Sequence, residues 1–250
     1  MKYTPRILIV DDDQRMTRTL ADILKLSGYE AVEAASGPQA LESVRTQTFD
    51  CVLSDVRMPD MNGVELHRLL RQAQPGLPVV LMTAYAADEL VRQGLDEGIV
   101  GALNKPLDIA HLLGFFASLA ENRTIAIVDD DPAFGRTLAD ILRGRGFNVA
   151  QITDPHIDVD FMASDAQTIL LDLKLNSVSG LDLLQRIRAR YTSLPVLLIT
   201  GYREEMADAI RSALAINAYA CLYKPLEIPA LLEQLAQFQL TRLREMLHGQ

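Results

Sequence analysis

Ile7-Leu8-Ile9-Val10-Asp11-Asp12-Asp13 is an apolar run stopped by three acids, and Ile125-Ala126-Ile127-Val128-Asp129-Asp130-Asp131 repeats it. Working outward, a second apolar run ends on Asp55 and later on Asp172, and a third ends on Thr83 and later on Thr200. A Lys-Pro pair follows a fourth run, first at Lys105-Pro106 and then at Lys224-Pro225. Between copies the offsets are 118, 117, 117 and 119 residues. Four polar landmarks in one order at nearly one spacing mean a duplicated unit. The 250 residues therefore divide into two domains of about 120 residues. The expected boundaries are 1–121 and 122–250, with Glu121-Asn122-Arg123 as the linker.

The alternation of apolar runs with helix-period segments sets the fold class. Strands are expected at Ile7–Val10, Glu30–Glu33, Cys51–Ser54, Val79–Met82 and Ala102–Asn104, then at Thr124–Val128, Asn148–Gln151, Thr168–Leu171, Val196–Ile199 and Ala220–Tyr223. Runs such as Val79-Val80-Leu81-Met82 are apolar on both faces, so helices cover both sides of the sheet. Five βα units per copy predict an α/β fold. Each copy is a flavodoxin-like doubly wound (βα)5 domain with a five-stranded parallel sheet and its ligand at the strands' carboxyl ends. Helices at Ala87–Gly94 and His156–Ala163 are the weaker readings, since Gly94 interrupts one and strong helix formers are few in the other. The last helix, Ile228–His248, carries the apolar stripe Leu231, Leu235, Phe238, Leu243 and Leu247, longer than one domain needs. It reads as a cap on the other domain, a homodimer seam, or a stalk toward an output domain.

Composition narrows the function classes. A net charge of −9 argues against direct nucleic-acid binding. No apolar stretch approaches the ~20 residues of a membrane span, and Met1-Lys2-Tyr3 leads directly into a strand, so a cytoplasmic protein is expected. Cys51 and Cys221 lie in apolar runs and read as reduced thiols. The four histidines are scattered, which disfavours zinc.

The chemistry lies at the strand ends. Asp11, Asp12 and Asp55 would share one rim with Thr83 and Lys105, and Asp129, Asp130 and Asp172 would share the other with Thr200 and Lys224. Crowded carboxylates repel one another, and a hard divalent cation such as Mg²⁺ relieves that. An aspartate beside a cation and a lysine can attack phosphorus, while Lys and Thr hold the phosphoryl oxygens. Alone, an Asp pair after a strand reads as a helix N-cap, and Lys-Pro reads as a turn.

With the motifs Val-Asp-Asp-Asp, Ser-Asp-Val-Arg-Met-Pro-Asp-Met-Asn-Gly, Met-Thr-Ala and Asn-Lys-Pro, each half resembles the receiver domain of two-component response regulators. That resemblance implies Asp55 as phosphoacceptor, with Asp11, Asp12 and the carbonyl of Arg57 around Mg²⁺, and Thr83 and Lys105 on the phosphoryl oxygens. In the second half it implies Asp172, with Asp129, Asp130, the carbonyl of Lys174, Thr200 and Lys224. It implies a sensor histidine kinase or a histidine phosphotransfer protein as donor, and a downstream protein target. Its only catalysis would be self-phosphorylation and autodephosphorylation.

Three features depart from the family pattern. The loop Leu173–Gly180 lacks Met-Pro, although its glycine keeps the same distance from the acceptor, which makes Asp55 the better-supported acceptor. The position of the family's aromatic switch holds Ala102 and Cys221. Arg57 and Lys174 stand two residues past each acceptor, and Tyr85 and Tyr202 two past each threonine; in the family these positions flank the path of the hydrolytic water, so by the resemblance the bulky tyrosines imply slow loss of phosphate. The leading reading is a phosphorelay protein that signals through protein contacts. Another is the regulatory front of a diguanylate cyclase or histidine kinase. A haloacid-dehalogenase-type phosphatase fits poorly, because its Thr and other motifs are out of place.

Overall fold

The computed structural model describes residues 4–85, 88–121, 124–154, 156, 158–163, 166–202 and 204–248. The chain forms two compact units, one of Met1–Ala120 with Ala236–Gln250 and one of Glu121–Leu235. The first unit contains β1 (Arg6–Val10), α1 (Gln14–Leu26), β2 (Glu30–Ala34), α2 (Gly37–Thr46), β3 (Cys51–Asp55), α3 (Gly63–Ala73), β4 (Val79–Thr83), α4 (Glu89–Asp96), β5 (Gly101–Asn104) and α5 (Ile109–Glu121). The second repeats the order with β6 (Thr124–Val128), α6 (Pro132–Arg143), β7 (Asn148–Ile152), α7 (Val159–Ala163), β8 (Thr168–Asp172), α8 (Gly180–Arg190), β9 (Val196–Thr200), α9 (Ala207–Ala215), β10 (Ala220–Tyr223) and α10 (Ile228–His248).

Both sheets are five-stranded and parallel, in the orders β2-β1-β3-β4-β5 and β7-β6-β8-β9-β10. This is the flavodoxin-like order. The strand order reverses beside β1 and β6, which opens a crevice at their carboxyl ends. The expected fold class therefore stands. Alternate residues of each strand face opposite helical layers. Leu8, Val10, Val52 and Leu81 pack with Val64, Leu66, Leu70 and Val91 of α3 and α4. Ile7, Ile9, Leu53 and Met82 pack with Leu20, Leu24, Leu112 and Phe116 of α1 and α5. In the second unit Val128, Leu171 and Leu198 pack with Leu183, Ile187 and Ile210. Cys51 is buried and Cys221 half-buried, both free thiols, and burial pushes both thiol pKa values up.

Two helices are shorter than their sequence pattern. Where the pattern begins at His156, α7 begins only at Val159, and part of the Pro155–Asp165 stretch lies outside the described residues. The short helix is held by long-range contacts, with Tyr191 Oη donating to Asp160 at 3.0 Å and Arg190 paired with the same carboxylate. The helix-period segment Glu204–Ala215 is α-helical only from Ala207, the start of α9, and Met206 at its N-cap offers no capping side chain. The expected start of α4 at Ala87, and Asn122-Arg123 of the linker, lie outside the described residues.

The second half of α10 belongs to the first unit. Leu243 is fully buried in the cluster of α1 and α5, with Leu240 and Leu247 packed beside it. Arg244 Nη2 donates to the carbonyl of Gly98 at 2.7 Å. A Cβ on Gly101 would meet the Leu247 side chain at 2.7 Å, so glycine there lets the helix approach β5. Leu243→Ala is expected to destabilise the first unit by about 3 kcal/mol. The check is the urea midpoint followed by far-ultraviolet circular dichroism, and an unchanged midpoint contradicts the packing role.

Candidate functional site at the carboxyl rim of each sheet

Each aspartate triplet divides its work. The third member caps a helix: Asp13 accepts from the N–H groups of Arg15 and Met16 at 2.9 and 3.3 Å, and Asp131 from those of Ala133 and Phe134 at 2.8 and 3.2 Å. The N-cap reading of the motif is thus satisfied by that residue alone. The first member turns inward and is buried, as Asp11 and Asp129. Its Oδ1 accepts the N–H two residues on, at 2.9 Å in both units. The middle member, Asp12 or Asp130, is left at the rim.

In the first unit Lys105 joins residues far apart in sequence. Its ammonium donates to Asp11 Oδ2 at 2.7 Å and to Asp55 Oδ1. Asp55 is the last residue of β3, and its Oδ2 accepts the Arg57 N–H at 2.8 Å. Thr83 ends β4; its Oγ1 accepts the Tyr85 N–H at 3.0 Å, and its carbonyl accepts the Lys105 N–H at 2.7 Å. The second unit reproduces this set. Lys224 donates to Asp129 at 2.7 Å and Asp172 at 2.6 Å, and Asp172 accepts the Lys174 N–H at 2.9 Å. Thr200 accepts from Tyr202 N–H at 3.2 Å and from Lys224 N–H at 2.8 Å. Both Lys-Pro bonds are cis.

The electrostatics follow from burial. For Lys105 and Lys224, burial disfavours the ammonium. Hydrogen bonds to two carboxylates outweigh it, so both pKa values lie above the ordinary lysine value. For Asp129, burial outweighs the Lys224 pair and raises the carboxyl pKa. The donors present at this rim are hard oxygens suited to a small divalent cation. Ligand atoms of Asp129, Asp130 and Asp172 lie within 4.8 Å of one another. Asp130 is held there by the Asn176 N–H, which donates to it at 2.7 Å. Among the described residues Asp11, Asp12 and Asp55 do not gather that closely, and Asp12 is exposed.

Several contributors carried weak sequence signals. A Cβ on Gly63 would meet the Asp55 carbonyl at 2.6 Å, and one on Gly180 would meet the Asp172 carbonyl and Leu173 Cα. The shared spacing of these glycines is thus a packing requirement at the acceptor strand. Ala102 and Cys221 are both half-buried against the equivalent core cluster. Phe134 lies 4.1 Å from the Lys224 ammonium, a cation–π contact that spacing alone did not indicate.

The sequence model described as "Response regulator receiver domain" matches residues 7–116 and again 125–236. A response regulator receiver protein of Anaeromyxobacter sp. (strain Fw109-5) is 35% identical over 201 residues, 80% of this chain and 84% of that protein. The transcriptional regulatory protein ZraR of Escherichia coli (strain K12) is 43% identical over 106 residues, 42% of this chain but only 24% of that protein. Among solved structures, the chemotaxis protein CheY4 of Vibrio cholerae is 29% identical, with 47% of this chain and 99% of that one covered and a TM-score of 0.44. Among the described residues no helix is long and apolar enough to cross a membrane. Two matched segments spanning most of the sequence settle the matter: this chain belongs to the response regulator receiver domain family, and it carries that domain twice.

Proposed function

We propose that Asp55 is the phosphoacceptor of the first receiver and Asp172 that of the second, each loaded from a phosphohistidine of a sensor kinase or a phosphotransfer protein. The observation that carries this reading is a lysine ammonium shared between the acceptor carboxylate and a buried aspartate in both units. The carboxylate oxygen forms the new O–P bond while the P–N bond breaks. The electron pair of that bond leaves on the imidazole nitrogen. Lys105 or Lys224 neutralises one phosphoryl oxygen, and the Thr83 or Thr200 hydroxyl, two residues before an exposed tyrosine, donates to another. Mg²⁺, when bound, withdraws charge from the transferring group. Asp11, Asp12, Asp55 and the Arg57 carbonyl would hold it in the first unit. Asp129, Asp130, Asp172 and the Lys174 carbonyl would hold it in the second.

The test is incubation with a small acyl phosphate and Mg²⁺, followed by peptide mass analysis. The expected result is label on the peptides containing Asp55 and Asp172, lost when the divalent ion is chelated. Label that survives chelation, or that falls on other residues, refutes the reading. The two sites should also differ in lifetime. Tyr85 is 71% exposed, whereas Tyr202 is 44% exposed and has the Lys174 ammonium, from two residues past Asp172, 3.4 Å from its ring centre. Tyr202→Ala is therefore expected to speed dephosphorylation several-fold, and more than Tyr85→Ala does. Equal half-lives of wild type and Tyr202→Ala would remove the shielding role.

A further inference from the structure

A charged pair recurs in the two receivers with a different outcome. Two residues past the acceptor stands a basic side chain, Arg57 or Lys174, and five past the strand-end threonine an acidic one, Asp88 or Glu205. In the first unit they form a bidentate ion pair, Arg57 Nε to Asp88 Oδ2 at 3.0 Å and Nη2 to Oδ1 at 3.1 Å. The Asp88 side chain is only 3% exposed. Asp88 is also the N-cap of α4, accepting the Leu90 N–H at 3.0 Å. Burial opposes its charge, but Leu90 and Arg57 outweigh that and hold its pKa below the ordinary carboxylate value. Arg57 therefore touches the acceptor Asp55 through its backbone N–H and the cap of α4 through its guanidinium. In the second unit the counterpart pair is 3.7 Å apart and exposed, and α9 has no side-chain cap. Lys174 is instead drawn over Tyr202.

We propose that Arg57 couples the acceptor to α4: a phosphoryl group on Asp55 draws the guanidinium off Asp88, and the first turn of α4 loosens. The coupling is built into the first receiver and absent from the second. It rests on the assignment of Asp55 as acceptor. The Asp55 carboxylate, with one negative charge, becomes an acyl phosphate with about 1.5 to 2, so the site gains up to about one negative charge, now spread over phosphoryl oxygens. Guanidinium pairs bidentately with phosphate as readily as with carboxylate, so the exchange keeps Arg57 satisfied. Asp88 then remains as a buried carboxylate without its cation, a state relieved when the start of α4 moves out to water. This is a local charge change acting on a helix terminus, one of the ordinary forms of a phosphorylation switch.

The test is amide hydrogen exchange of the α4 peptide in the full chain, with and without an acyl phosphate and Mg²⁺. Occupancy of Asp55 is read by mass in the same samples. In the wild type, labelling should raise exchange of the first-turn amides about tenfold, the effect of a lost N-cap. Asp88→Ser keeps a capping oxygen but cannot bind Arg57, so its α4 exchange should not respond to label. Arg57→Ala should show raised exchange without label and no further rise with it. Exchange at α9 should be indifferent to label on Asp172. Full label on Asp55 with unchanged α4 exchange overturns the coupling and leaves the acceptor assignment intact, as does a wild-type response in Asp88→Ser. Absence of label on Asp55 overturns both.

Discussion

Replacing Asp55 by Asn is expected to remove label from the first receiver, Asp172→Asn to remove it from the second, and the double variant to take none. An amide oxygen is a poor nucleophile, and Asn keeps the shape of the side chain, its one oxygen able to accept from the N–H of residue 57 or 174 or from the lysine ammonium, which in the wild type bond different carboxylate oxygens. Loss of label would then be a chemical effect rather than a failure to fold. Far-ultraviolet circular dichroism of each variant checks that. The loop Arg57–Gly63 matches the family pattern where Leu173–Gly180 does not, which favours Asp55. The tertiary structure adds a countervailing fact, because the acids of the second site are the ones drawn within 4.8 Å. Equal incorporation into the two single variants would remove the preference for Asp55. Label persisting in the double variant would mean that the acceptor is neither residue.

Lys224→Ala should cost the second unit about 3 kcal/mol, within the range for removing one partner of a buried pair. Asp129 and Asp172 side chains are 2% and 8% exposed, and both use Lys224 as their cation. Without it two buried carboxylates face one another, and the contact with Phe134 is lost as well. A divalent cation that binds only the folded site restores stability by mass action, so part of the loss should return as Mg²⁺ is raised. Urea unfolding with and without Mg²⁺ measures both effects. A loss below about 0.5 kcal/mol would place the lysine among exposed ion pairs of little weight. A loss that Mg²⁺ does not reduce would count against the acids as its ligands.

How much of this was legible in one dimension depends on the range of the interaction. The doubling, the parallel α/β class and the strand ends carrying Asp55, Thr83 and Lys105 were readable, because apolar runs and the polar residues that stop them are local signals. Helix starts were less so. The pattern placed one at His156, but α7 begins at Val159, where Arg190 and Tyr191 from another helix hold Asp160.

The amino-acid order thus determined by itself that two similar βα domains exist and which polar residues meet at each sheet's carboxyl edge. Parallel pairing carries every strand end to the same side whatever the details of packing. Tertiary structure alone decided that Arg57 reaches Asp88 while Lys174 turns to Tyr202, that Asn176 steadies Asp130, and that Leu243 completes the first unit's core. Those partners lie tens to hundreds of residues apart or depend on a choice among rotamers. Only the packed environment, through burial and competing charge, selects among such contacts.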